Sequence, residues 1–181
     1  MNLVDMRTAQ SEAGASEAQA GRRLDPDLLG SHLERLYRAA YGLCGSRSDA
    51  EDLVQDTYER VLRKPRFVRR DDDLSYLLRI LRNTWISSKR ARRAVTVSPA
   101  GDQIEALGRP HDPIGQAIEG AAVYRALQEL SRPLREALVA VDVVGLSYRE
   151  AARALGTKEG TIMSRLHRGR GQIASRLQVQ A

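Results

Sequence analysis

Asp49, Asp52, Asp56 and Glu59 recur at spacings of three and four, so a helix carries all four carboxylates on one stripe opposite Val54. Such a stripe repels phosphate and suits either water or a basic protein surface. Near the C-terminus, a wheel of about 100° per residue puts Ile162, Leu166, Gly169, Ile173 and Leu177 on one side. Gly160, Ser164, His167, Arg168 and Gly171 face the other way, with Thr161 and Arg165 flanking. Small residues let a backbone approach a groove closely, while arginine and histidine reach base edges and phosphates. Glycine inside a helix costs about 1 kcal/mol relative to alanine, so Gly160, Gly169 and Gly171 call for a reason beyond helix stability. A third face carries Tyr76, Ile80, Asn83, Ser87 and Arg90. Its aromatic, amide, hydroxyl and guanidinium groups suit stacking on and hydrogen bonding to unpaired bases, while Trp85 lies with Leu78 on the core side.

Catalytic spacing is absent. His32, His111 and His167 are scattered, and the chain has no HExxH, CxxC, Walker loop or nucleophile elbow. The single Cys44 cannot form an internal disulfide or a multi-thiolate site and lies on an apolar stripe, so packing is its expected role. No enzyme activity, metal site or cofactor is expected. No run approaches a membrane span, and the first 23 residues lack the pattern of a signal peptide, so the chain is expected in the cytoplasm without membrane insertion.

The elements that position these faces are helical. Leu29, Leu33, Leu36, Ala40 and Leu43 mark a helix from Pro26 to Gly45. Ser48-Asp49-Ala50-Glu51 reads as a capping box for a second helix, with Ala50, Leu53, Val54, Thr57, Tyr58, Val61 and Leu62 inward and Pro65 beyond its end. Asp71-Asp72-Asp73 suits the start of a third helix, Leu74 to about Arg93. Further helices are expected from Ile114 to Leu130 and from Leu134 to Val144. A short helix then begins at the box Ser147-Tyr148-Arg149-Glu150, Gly156 turns the chain, and a last helix capped by Thr157 runs to about Leu177. Short helix, glycine turn and basic helix form a helix-turn-helix layout.

The 181 residues carry a net charge of +6, and 26 of the 29 basic residues are arginine. Arginine's planar fork suits phosphates and guanine edges, although base composition of the gene also favours it. The net charge by segment is zero for residues 1–23, +4 for 24–94, −3 for 95–119 and +5 for 120–181. The expected architecture is all-α: a disordered tail (1–23), a helical domain (24–94), a flexible acidic linker (95–119) rich in proline and glycine, and a helix-turn-helix domain (120–181). Aromatic content of 4% argues against a sandwich or barrel core.

Asp-Ala-Glu-Asp-Leu-Val-Gln-Asp-Thr (49–57) resembles the core-binding segment of the extracytoplasmic-function (ECF) sigma factors of bacterial RNA polymerase. The run from Gly145 to Arg170 resembles the helix-turn-helix of the same family. Together the similarities cover about residues 24–177. The resemblance implies a promoter-specificity subunit, acting for a stress- or signal-responsive set of genes, whose partners are core RNA polymerase, promoter DNA and an anti-sigma factor. It implies core-polymerase contacts by Asp49, Glu51, Asp52, Leu53, Gln55, Asp56 and Glu59. Reading of the -10 element would fall to Phe67, Arg69, Arg70, Tyr76, Arg79, Asn83, Ser87 and Arg90. Reading of the -35 element would fall to Lys158, Gly160, Thr161, Ser164, Arg165, His167 and Arg168. The linker would thread a basic channel of the polymerase. Two positions depart from the family pattern within the -10 reader: Ser87 follows Ile86 where aspartate is common, and Ser75-Tyr76-Leu77 replaces a common Trp-Leu.

Two other classes compete. A stand-alone helix-turn-helix regulator would read symmetric half-sites as a dimer but has no evident use for the acidic stripe. A nucleic-acid-processing enzyme would need clustered catalytic carboxylates or histidines.

Overall fold

The computed structural model describes residues 22–23, 26–63, 67–68, 73–95 and 121–179. The expectations for the tail up to Gly21 and for the joint beyond Val95 lie outside these residues. Helix α1 (Pro26–Cys44) has proline in its first turn and ends at Gly45, whose φ of +76° only glycine adopts without strain. The Gly45 amide donates to the Tyr41 carbonyl at 2.8 Å. Because the chain reverses there, α2 (Arg47–Arg63) begins at once, and its cap is Ser46 rather than Ser48. The Asp49 amide donates to Ser46 Oγ at 3.4 Å, while Glu51 pairs with Arg47 instead of closing a box.

Helix α3 spans Asp73–Val95, with Asp73 in its first turn. Between α2 and α3, Phe67–Val68 (β2) pairs antiparallel with Arg22–Arg23 (β1), a two-residue ladder in a chain expected to be wholly helical. Arg22 and Arg23, at the end of the segment 1–23, take part in that ladder.

In the second half, α4 (Ala121–Gln128) precedes α5 (Arg132–Leu138), which carries Pro133 in its first turn. Instead of one helix to Val144, α5 runs into a π turn at Val139–Val143, where the Val144 amide reaches the Val139 carbonyl at 2.9 Å. Helix α6 (Tyr148–Leu155) has the full capping box: Ser147 Oγ accepts from the Glu150 amide, and the Glu150 carboxylate accepts from the Ser147 amide at 2.8 Å. Gly156 then takes φ +64°. Helix α7 (Glu159–Val179) starts one residue later than a Thr157 cap requires, since the Lys158 carbonyl receives the Ile162 amide at 3.1 Å. The Thr157 amide instead closes α6 onto Ala152.

The core of the first half joins Leu36, Ala40 and Leu43 of α1 to Leu53, Val54 and Val61 of α2 and Leu77, Leu78, Leu81 and Trp85 of α3. Leu127, Leu138, Leu155, Ile162 and Leu166 fill the second half. The two cores are continuous, because α1 packs on α4 and on the π turn while α3 packs on α6. Leu33 and Leu62, expected inside, are 48% and 53% exposed at the edge where α1 and α2 part.

Candidate nucleic-acid interface

Helix α7 lies against α4, α5 and α6, which fixes its rotation. Ile162 and Leu166 are fully buried, and Ile173 and Leu177 are half-buried. Gly169 sits so close to α5 that a Cβ there would meet Leu138 Cδ1 at 2.7 Å. That glycine serves helix packing, whereas Gly160 and Gly171 face open space. Lys158, Gly160, Ser164, His167 and Arg168 are exposed on the opposite face, with Thr161 and Arg165 half-buried at its flanks. The exposed Met163 (56%) joins that face. Arg168, exposed on this face, donates from Nε to the Ser164 carbonyl at 3.3 Å.

Two arginines of α7 anchor the helix. Arg170 holds the Asp142 carboxylate through Nε at 3.0 Å and Nη2 at 2.7 Å, and that pairing raises its pKa. Arg176 meets Glu129 at 2.7 Å. An open cleft of about 830 Å³ beside the Arg176–Glu129 pair is lined by His167, Arg168, Gly171 and Ser175.

On α3, Arg79, Asn83, Ser87 and Arg90 are exposed in a row. Tyr76 is a correction to the helix wheel. It is only 8% exposed, in the core, with the Arg79 guanidinium 5.4 Å from its ring centre, because the N-terminal end of α3 is covered on more sides than its middle. In this conformation Tyr76 offers no ring face to a base. Arg69 and Arg70 lie outside the described residues, and Phe67 pairs through its backbone in β2.

On α2, Glu51, Asp52, Gln55, Asp56 and Glu59 are exposed. Leu53 is 5% exposed and belongs to the core, so its side chain is not offered to a partner. Asp49 is drawn off the stripe by Arg92 of α3, at 2.8 Å from Nη2 and 3.3 Å from Nη1. That contact raises the pKa of Arg92. Beside the stripe runs an apolar groove of about 450 Å³ lined by Leu33, Tyr37, Val54, Tyr58 and Leu62, rimmed by Glu51 and Glu59. The sequence pattern assigned Leu33 and Leu62 to the core; only the crossing of α1 and α2 reveals the groove.

Cys44 is half-buried, and desolvation pushes its thiol up to about 12. Among the described residues no group of His, Cys, Asp or Glu is placed to hold a metal ion, and no helix is long and apolar enough to cross a membrane.

Fold and faces define a helical, helix-turn-helix protein with one acidic and two arginine-bearing surfaces. Residues 28–95 match Sigma-70 region 2, and residues 120–177 match Sigma-70, region 4. The chain is 34% identical to the ECF RNA polymerase sigma factor SigE of Mycolicibacterium smegmatis, covering 93% of this chain and 67% of that protein. It is 32% identical to the ECF RNA polymerase sigma factor SigM of Mycobacterium tuberculosis, covering 92% and 83%. The solved sigma factor RpoE of Bartonella quintana, in complex with the anti-sigma factor NepR, superposes with a TM-score of 0.71 at 31% identity, covering 86% of this chain and 96% of that one. The chain belongs to the ECF RNA polymerase sigma factors. It directs promoter recognition.

Proposed function

We infer that the three exposed faces divide the work of this sigma factor. Asp52, Asp56 and Glu59, with Glu51 and Gln55, dock a basic helical surface of core RNA polymerase, and the adjoining apolar groove adds desolvated area to that contact. Arg79, Asn83, Ser87 and Arg90 of α3 read the -10 element. Lys158, Gly160, Thr161, Ser164, Arg165, His167 and Arg168 of α7 enter the major groove at the -35 element. The units are residues 24–94 and 120–181, joined by 95–119, and the protein works in the cytoplasm.

The observation that carries this reading is the segregation of charge: the acidic face of α2 and the arginine faces of α3 and α7 belong to separate helices, each exposed. A stand-alone repressor has no use for the first. We further propose control by an anti-sigma factor, as named for RpoE of Bartonella quintana, within a signal-responsive regulon. Run-off transcription with purified core polymerase on a genomic promoter pool tests the assignment. Starts sharing a two-element motif support it, and initiation that does not depend on the chain overturns it.

A further inference from the structure

The outward face of α7 is chemically divided. On a wheel of about 100° per residue, Arg165 and Arg168 fall to one side of Gly160, Ser164 and His167, and Glu159 and Met163 fall to the other. Both Glu159 and Met163 are exposed. At 56%, Met163 is the most exposed large apolar side chain among the described residues, and the only such residue on α7.

A single apolar side chain in water is ordinary on a protein surface, so exposure by itself decides nothing. Position does. A helical side chain covers the turn N-terminal to its own Cα, which for Met163 is the turn that holds Gly160. Nothing lies within 4 Å of the place where a Cβ of Gly160 would stand. The α7 backbone can therefore approach a groove closely at that turn, and the thioether of Met163 is carried in beside it. Glu159, on the same edge, repels phosphate, while the cations suited to the strands stand on the other flank. This edge of α7 suits the floor of a groove.

The floor of the major groove presents hydrogen-bonding groups at every base pair but only one apolar group, the C5 methyl of thymine. Packed on the edge of a G·C pair, a thioether would strip water from donors and acceptors without replacing it. Against a thymine methyl, both partners lose only apolar hydration, and the unbranched, polarizable methionine chain adapts to the contact.

We propose that Met163 is a specificity-determining residue that seats against a thymine methyl within the -35 element, so that α7 selects an A·T pair there by apolar contact rather than by hydrogen bonding. The proposal rests on the sigma-factor reading and adds to that site a base contact that none of its polar side chains supplies.

The test uses the holoenzyme, the full chain bound to core polymerase, on duplex promoter probes carrying the -35 element that run-off transcription defines. Each thymine of that element, on either strand, is replaced in turn by deoxyuridine, which removes the methyl and leaves the hydrogen-bonding edge intact. At one position affinity falls about fourfold, the worth of one buried methyl group. Met163→Ala loses at least as much on the thymine probe and nothing further on the deoxyuridine probe for that position. A folding defect or a phosphate contact would weaken both probes equally, so the non-additive cycle isolates the methyl contact. Met163→Leu keeps the methyl dependence. Equal loss by Met163→Ala on the two probes, no deoxyuridine position that weakens binding, or a -35 element without an A·T pair overturns the proposal. A chain with which core polymerase starts at no shared two-element motif overturns the sigma-factor reading instead.

Discussion

Arg92, in the last turns of α3, closes in a bidentate grip on Asp49 at the start of the acidic helix, with nitrogen–oxygen distances of 2.8 and 3.3 Å. The pair ties α3 to α2, and so ties the orientation of one functional face to the other. Asp49 therefore differs from Asp52 and Asp56, which have open solvent before them. Asp49→Ala is expected to cost about 0.5 kcal/mol, because the pair is partly solvated, measured by urea denaturation. Asp52→Lys with Asp56→Lys leaves stability nearly unchanged but abolishes co-purification with core polymerase.

Arg168 is exposed on the outward face of α7. A bidentate contact with a guanine predicts that Arg168→Ala loses about 1 to 3 kcal/mol of -35 binding at one base position. A phosphate contact predicts instead a uniform loss and a salt slope smaller by about 0.9. Binding titrations on promoter variants at several salt concentrations separate the two.

Gly169→Ala sets helix propensity against packing. Alanine gains about 1 kcal/mol of propensity, yet its methyl collides with Leu138, an overpacking cost of about 1 to 3 kcal/mol. A net loss of thermal stability is expected from calorimetry. Gly171→Ala, facing open space, should instead stabilise the chain.

The Glu150 carboxyl sits below its ordinary range because the Ser147 hydroxyl and amide both donate to it. A depressed acid contributes stability above its unfolded pKa, and that contribution is lost as pH falls through the folded value. Ser147→Ala is therefore expected to cost about 1 kcal/mol at neutral pH and less in acid. Denaturation of both chains across acidic pH checks the convergence.

Cys44, with its thiol near 12, is expected to resist alkylation of the native chain. Only on the order of one molecule in 10,000 is thiolate at pH 8. Mass spectrometry after iodoacetamide should show modification only in denaturant.

Much of this protein is legible in its amino-acid order. The box at Ser147, the glycine turn at Gly156 and the period of Ile162, Leu166 and Gly169 are local signals, acting within a few residues, and they define the helix-turn-helix and its outward face. The acidic stripe is likewise written at helical spacing. Periodicity reports which side of a helix is apolar, but not how far a neighbour covers it. Leu33 and Leu62 therefore surface in a groove, Tyr76 sinks, and Ser46 displaces Ser48 as a cap once Gly45 has turned the chain. Arg82 and Glu136 carry no mark of their meeting, because 54 residues of sequence separate them and only the docking of α3 on the second half creates the contact. Sequence alone determined the helices and the charge on their faces, since both follow from local chemistry. Tertiary structure decided which charges are spent within the fold and which remain for a partner, because that depends on desolvation by distant elements.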